Sequence, residues 1–324
     1  MQATRITINK QGSADVIELE DYDLSLPGPG EAQVEQTAIG LNYMDVYQRS
    51  GHYPMPLPSP LGLEAAGRVT AIGDGVSHVS VGDRVVYGAV LGAYCNRRNV
   101  PADRLLIIPE GISDEVAAAV LMKGMTVEYL LNRTYKVAEG DQILFWAASG
   151  GVGQLAGQWG KHMGARMIGV TSGPQNCQNI LSLGYEAAID RKSEDVAERV
   201  RQLTDGKGVG VVYDSIGAAT FDASLACLAT YGLFVSYGAT TGEAPPVAPS
   251  TLQKSGSLYF TRPTLADYVR EREDLEHSAS ETFRLIREGV LQVNINQRFA
   301  LSDVADAHRA LESGETTGST IIVP

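Results

Sequence analysis

Apolar and polar positions along this chain follow two different rhythms, and the change falls between about residues 100 and 112. Before it, short runs alternate or nearly so: Thr4 to Asn9, Val16 to Leu19, Gln33 to Ile39, Arg68 to Ile72, and Val85 to Tyr87 after a Gly82-Asp83 turn. Runs of that length, punctuated by glycine and proline, predict strands, so a small β domain is expected from about residue 1 to 100. Pro54, Pro56, Pro58 and Pro60 predict a stiff extended loop. Asn42 opens a short helix and Asp45 stands three residues on, the spacing of an N-terminal cap. A capping residue can also present its amide to a cleft, and both readings of Asn42 stand.

From Ile112 the pattern becomes helical, over 112–121 and again over 124–132, with an expected break at Lys123-Gly124. From Gln142 on, short apolar strands at 142–147, 166–171, 187–189, 210–213 and 233–237 alternate with helical stretches, and Ser257 to Phe260 offers a sixth strand. That alternation predicts a doubly wound α/β fold on a parallel sheet, assigned to residues 121–265. Past Arg262-Pro263 the expectation is one long helix through Arg287, a strand near 295–299, a helix over 303–311 and a closing strand at 320–323.

The stretch Ile143 to Gly153 is the centre of this second pattern. Its apolar start reads as a buried parallel strand, and Val152, Leu155, Ala156, Trp159, Gly160 and Met163 give the following helix one apolar stripe. Strand, tight turn and helix are the setting of the dinucleotide fingerprint G-x-G-x-x-G, here with Ala148 in place of the first glycine, then Gly150 and Gly153. Ala148 must therefore make the turn without a positive φ. Gly150 lets backbone approach a pyrophosphate, Gly153 lets helix approach strand, and the helix N-terminus faces an anion with unpaired N–H groups.

Composition narrows the function classes. A length of 324 residues suits two domains, and 44 per cent apolar with 20 per cent charged residues is that of an ordinary globular protein. The net charge of −12 argues against a nucleic-acid partner, and neither a signal segment nor a run of 18 apolar residues occurs, so no membrane is expected and the compartment is read as the cytoplasm. Cys95, Cys177 and Cys227 are odd in number and far apart, which fits a reducing compartment. No histidine pair has metal-ligand spacing, and each histidine is read as a surface or packed residue.

The order of parts resembles the medium-chain dehydrogenase/reductase superfamily. Gly40-Leu41-Asn42-Tyr43-Met44-Asp45, Arg49 to Pro54, Leu121 to Thr126, Val212 to Gly217 and Thr261 to Thr264 are similar to its quinone oxidoreductases related to zeta-crystallin, colinearly from about residue 5 to Pro324. The resemblance implies a GroES-like catalytic domain (1–120), a Rossmann domain (121–265) and a return of residues 266–324 to the first. Two zinc-ligand positions of the superfamily's alcohol dehydrogenases fall on Asn42 and Leu63, and neither an amide nor an alkyl group replaces a thiolate or imidazole on zinc. The implied activity is zinc-free reduction by NADPH of a quinone, or of an activated alkene, in the interdomain cleft; a nucleotide-binding crystallin-like protein without turnover is the alternative.

By the same resemblance Asn42, Tyr47 and Tyr53 surround the substrate, while Thr126 and Arg262 stand near the nicotinamide. Ser149, Gly150, Gly151, Val152, Gly153, Ser172, Asn176, Arg191, Tyr237 and Gly238 form the implied cofactor set. No acid stands where the second strand of the fold ends, at Val170 to Pro174, which favours NADP over NAD. The family's phosphate-binding lysine, tyrosine and arginine positions are Asn176, Arg191 and Gly314 here, so the expected preference for NADPH is weaker than the family norm. Arg191 and Lys192 read either as a phosphate clamp or as a solvated pair. A homodimer is also implied.

Overall fold

The structure, a computed structural model, describes residues 2–314 and 316–324. Its contacts divide the chain into two units, one taking the chain up to Gly124, Val269–Arg287 and the stretch from Val293 onward, the other Met125–Tyr268 and Glu288–Gln292.

The first unit is built of β-structure. Strands β1 (Gln2–Ile8) and β2 (Ile17–Asp23) form an antiparallel pair, β3 (Glu31–Gly40) is the long central strand, and helix α1 (Tyr43–Ser50) follows it directly. Next come β4 (Ser59–Pro60), which joins β1, then β5 (Glu64–Ile72), β6 (Arg84–Tyr87), β7 (Arg97–Pro101) and β8 (Leu106–Ile107). The antiparallel register of β3 on β5 sets Gly40 opposite Glu64, so the start of β5 lies against the residue two places before Asn42. Alternation puts Ala32, Val34, Val69, Val85 and Val100 inside, each under 2% exposed, in one core with Ile6, Leu61 and Tyr94.

Helix α2 (Asp114–Glu128) runs straight through Lys123-Gly124, where a break was expected, and passes into a π-helical turn over Tyr129–Thr134. Gly124 is there for proximity rather than flexibility. A Cβ on it would overlap the Thr282 side chain, so glycine lets two helices approach.

The second unit is the parallel sheet. Its strands are β9 (Gln142–Trp146), β10 (Arg166–Thr171), β11 (Ala187–Asp190), β12 (Val209–Asp214), β13 (Leu228–Ser236) and β14 (Tyr259–Thr261), in the order β11-β10-β9-β12-β13-β14. The expected sixth strand is present. Helices α3 (Gly151–His162), α4 (Pro174–Ser182), α5 (Val196–Leu203), α6 (Phe221–Cys227) and α7 (Pro249–Lys254) connect them. The chain leaves β9 in one direction and returns to β12 on its other side, so the strand order reverses beside β9, the place where such sheets bind ligands. Helix α3 is not the one-sided helix that periodicity suggested. Residues 153 to 160 are all buried, including Gln154 and Gln158. Gln158 is satisfied by the Gln154 carbonyl at 2.9 Å and by exchange with Gln292 backbone at 2.8 and 3.2 Å, which is how two amides are tolerated on a covered face.

The long helix expected after Pro263 is two helices, α8 (Leu265–Tyr268) and α9 (Arg272–Arg287). The chain closes with β15 (Ile295–Ala300), α10 (Val304–Ser313) and β16 (Ser319–Val323), and β16 joins β3 to complete a seven-stranded sheet. Val304, Ala307 and His308 face the first unit's core, and Gly314 caps α10 in the left-handed conformation, φ 73°.

Candidate active site

At the carboxyl end of β9 the backbone turns sharply into α3. Ala148 does make that turn without positive φ; the left-handed residue is its neighbour Ala147, at φ 53°. An alanine in that region is strained, and the surrounding contacts hold it. The Gly150 N–H donates to the Ala147 carbonyl at 3.0 Å, Ser149 Oγ accepts from Thr171 Oγ1 at 2.8 Å, and Tyr185 OH donates to the Gly153 carbonyl at 2.7 Å. A Cβ on Gly153 would stand 2.5 Å from the Ala147 oxygen and 2.6 Å from Ala148 Cα, so only glycine closes this corner. Gly150 caps α3 without a side chain, and the first-turn N–H groups at Gly151, Val152 and Gly153 are those a helix leaves for an anion. These features fit the pyrophosphate of a dinucleotide.

Next to this turn, at the ends of β10 and β11, three residues expected from sequence come together. Arg191 Nε donates to Ser172 Oγ at 2.8 Å, and Asn176 Nδ2 donates to the Ser172 carbonyl at 3.0 Å. Sequence reasoning missed Asp190. Its Oδ1 accepts from the Gly173 and Lys192 N–H groups at 2.8 and 3.0 Å, and these backbone donors hold the half-buried carboxyl below its usual range. Gly173 has φ 84°. The acid missing from the end of β10 is thus supplied at the end of β11, spent on the loop that carries Ser172.

On the far side of β9, Asp214 ends β12 wholly buried. It accepts from the Ile216 and Gly217 N–H groups at 2.7 and 3.1 Å and from the Thr220 and Ser224 hydroxyls, both at 2.7 Å. The Asp214 carbonyl takes the Tyr237 N–H at 2.8 Å, and a Cβ on Gly238 would stand 2.6 Å from the Ser215 oxygen. Tyr237 and Gly238 are therefore fixed where β12 and β13 end, with the Tyr237 ring 5.8 Å from that of Phe145. Arg262 is exposed and donates from Nη1 to the Ser236 carbonyl at 2.9 Å, beside Tyr237. Thr126 lies half-buried on α2.

In the first unit, α1 and the turn after it assemble four aromatic rings. Tyr47 lies 5.1 Å from Tyr43, 4.9 Å from His52 and 5.5 Å from Tyr53, edge-on to both tyrosines. Asn42 opens the same helix. Asp45 reaches back to the Asn42 N–H at 2.9 Å, as the cap reading requires, while the Asn42 amide itself lies between two buried charges. Its Nδ2 donates to Glu64 Oε2 at 2.9 Å and its Oδ1 accepts from Lys123 Nζ at 3.2 Å. Burial raises the Glu64 carboxyl and lowers the Lys123 ammonium, and each is the main counter-charge of the other, 3.9 Å apart. Behind them, Asp45 Oδ2 also accepts from Tyr94 OH at 2.8 Å, and Tyr94 OH meets His308 Nε2 at 3.2 Å. Burial pushes Asp45 up to about 7 and His308 down to about 3.

Residues 28–142 match the family described as alcohol dehydrogenase GroES-like domain, and residues 183–322 match that described as zinc-binding dehydrogenase. The quinone oxidoreductase of Salmonella typhimurium is 47% identical over 99% of this chain and 100% of its own length. The chain belongs to the zinc-free quinone oxidoreductase family of the medium-chain dehydrogenases/reductases. A solved structure titled Escherichia coli quinone oxidoreductase complexed with NADPH superposes with a TM-score of 0.97, at 45% identity over 99% of this chain and all of the other. A 2-haloacrylate reductase from a Burkholderia species is 38% identical over 98% of both chains.

Family membership gives the Asn42 surroundings their chemical meaning. An ammonium donates to the Asn42 carbonyl oxygen, so a dication at this amide would meet a like charge. Of the charged residues around it, Glu64 and Lys123 were each visible as a single charge in an apolar stretch, Gly62-Leu63-Glu64-Ala65-Ala66 and Val120-Leu121-Met122-Lys123-Gly124-Met125. That signal is weak, because it does not reveal that the two meet.

Proposed function

We propose that this protein is an NADPH-dependent, zinc-independent quinone oxidoreductase. The observation that carries this is end-to-end similarity, 45–47% identity over 99% of the chain, to quinone oxidoreductases, one of them solved with NADPH. NADPH supplies a hydride to the acceptor. The chain's own residues bind and orient: Ser149, Gly150, Gly151, Val152 and Gly153 take the pyrophosphate through backbone N–H groups. Ser172, Asn176 and Arg191 take the adenosine phosphate, for which a guanidinium is well matched. Tyr237 and Gly238 line the cofactor at the ends of β12 and β13. Thr126 and Arg262 lie near the nicotinamide in this reading, and Asn42, Tyr47 and Tyr53 receive the acceptor. A quinone carbonyl gains negative charge on reduction, which an Asn42 N–H and a tyrosine hydroxyl stabilise, while tyrosine faces suit a flat ring.

A second reading, reduction of an activated alkene, draws on the 38% identity to a 2-haloacrylate reductase. One experiment separates the two: consumption of NADPH and of NADH against quinones, enones and alcohols side by side, with and without a chelator. The expected result is turnover with NADPH and quinones that a chelator does not change; preference for enones favours the second reading, and alcohol oxidation lost to chelator refutes both.

The proposal includes a homodimer. β14 is the last strand of its sheet, and Tyr231 and Tyr259 beside that edge are 70% and 63% exposed, which suits pairing with a second copy. It also places the protein in the cytoplasm, in keeping with three unpaired cysteines. Among the described residues no helix is long and apolar enough to cross a membrane.

A further inference from the structure

The reading of Asn42 as a donor to the acceptor leaves open what fixes its amide. A primary amide can sit either way round, with oxygen and nitrogen exchanged, and only its neighbours decide. Here both neighbours are buried charges of opposite sign. Lys123 Nζ donates to Asn42 Oδ1 at 3.2 Å and also to the Leu41 carbonyl at 3.2 Å, which ties the ammonium to the end of the loop that carries Asn42. Glu64 Oε2 accepts from Asn42 Nδ2 at 2.9 Å, and its other oxygen accepts from the Met122 N–H at 2.6 Å. Reversing the amide would set oxygen against carboxylate and N–H against ammonium. Gly40 completes the fit: a Cβ there would stand 2.5 Å from Glu64 Oε2, so the carboxylate has its place only because residue 40 lacks a side chain.

The Asn42 nitrogen carries two hydrogens, of which Glu64 takes one. The remaining contact is to Met122 Sδ at 3.8 Å, a weak acceptor that a carbonyl oxygen displaces. The ammonium on Oδ1 also draws electron density from the amide, which strengthens its N–H as a donor. We propose that Lys123 and Glu64 are positioning residues for the reaction, a buried ion pair that locks the Asn42 amide nitrogen toward the acceptor. This rests on the reading that Asn42 itself serves the acceptor. It gives a use to two charges that are otherwise costly to bury.

A double-mutant cycle tests it. kcat for 1,4-benzoquinone and KM for NADPH are measured in wild type, Asn42→Ala, Lys123→Met and the double variant. The expected result is a fall in kcat of about 10- to 100-fold for Lys123→Met, typical of a misplaced reacting contact, with KM for NADPH unchanged. In the Asn42→Ala background Lys123→Met then has no further effect, because there is no amide left to position. Losses that multiply, or a Lys123→Met enzyme with wild-type kcat, overturn the positioning role while leaving Asn42 in place. An Asn42→Ala enzyme with wild-type kcat overturns the reading of Asn42 and the positioning role with it. If Lys123→Met does not fold because Glu64 is left unpaired, Lys123→Met/Glu64→Gln removes both charges and takes its place in the cycle, read by the same outcomes.

Discussion

Held through Nε on Ser172 Oγ, Arg191 is the side chain on which the proposed cofactor preference depends. Its exposure keeps its contribution modest, and the Asp190 carboxylate next to it in sequence sets a negative charge near the same corner. Arg191→Ala is expected to lower catalytic efficiency with NADPH about 10-fold, equivalent to ~1.4 kcal/mol, and to leave NADH unchanged. Steady-state kinetics with both cofactors check this, and an equal loss with each would mean that Arg191 does not read the phosphate. Asp45 makes a second prediction. Its folded pKa, about 7, lies above the ordinary 3.8, so the folded state holds a proton that the unfolded chain releases first. The stability that Asp45 contributes is therefore full below about pH 4 and is lost as pH rises toward 7. Asp45→Asn keeps an oxygen for the Tyr94 hydroxyl and the Asn42 N–H and cannot titrate. Urea midpoints from pH 4 to 8 should fall less steeply with pH in Asp45→Asn than in wild type; parallel curves would rule out Asp45 as the source.

At the scale of elements, glycine had two meanings that periodicity confused. Gly153 reads as a close-packing residue because a fingerprint surrounds it, and the structure agrees: its missing Cβ is what lets α3 meet the β9 turn. Gly124 reads as a break, yet α2 continues through it and the absent side chain accommodates Thr282 of α9. No local pattern separates the two cases, because Thr282 lies 158 residues further along the chain. Gly124→Ala is expected to destabilise the protein by about 1–3 kcal/mol through overpacking, despite alanine's better helix propensity. Thermal or urea unfolding measures it, and Thr282→Ala in the same chain should restore part of the loss. A stabilised Gly124→Ala would show that α9 yields at this point. Gln154 and Gln158 make the converse lesson. Their polarity suggested an open face on α3, but partners on Ser149 and Gln292 cover it.

At the scale of the whole molecule, the proposed dimer is the property least visible in local patterns. If β14 pairs with its copy, wild type sediments at twice 34.6 kDa, and Tyr259→Asp, which sets a charge on that edge, shifts it toward the monomer. A wild-type monomer, or a Tyr259→Asp variant that remains fully dimeric, would remove β14 from the interface.

The sequence by itself determined the elements whose information is local. These are the alternating strands of the first unit, the βαβ rhythm of the second, the strand-turn-helix at Ile143 to Gly153, and the cap that Asp45 makes on Asn42. Backbone geometry and side-chain period act over a few residues, so a few residues reveal them. Tertiary structure alone decided what depends on distant partners. It moved the positive φ to Ala147, gave Asp214 four donors, brought Asp190 to the Ser172 loop, and set Asn42 between Glu64 and Lys123. Burying a charge is tolerated only when an opposite charge or several donors meet it. Which residues meet is settled by strand register and helix packing, as when Gly40 pairs with Glu64, and not by the residues on either side.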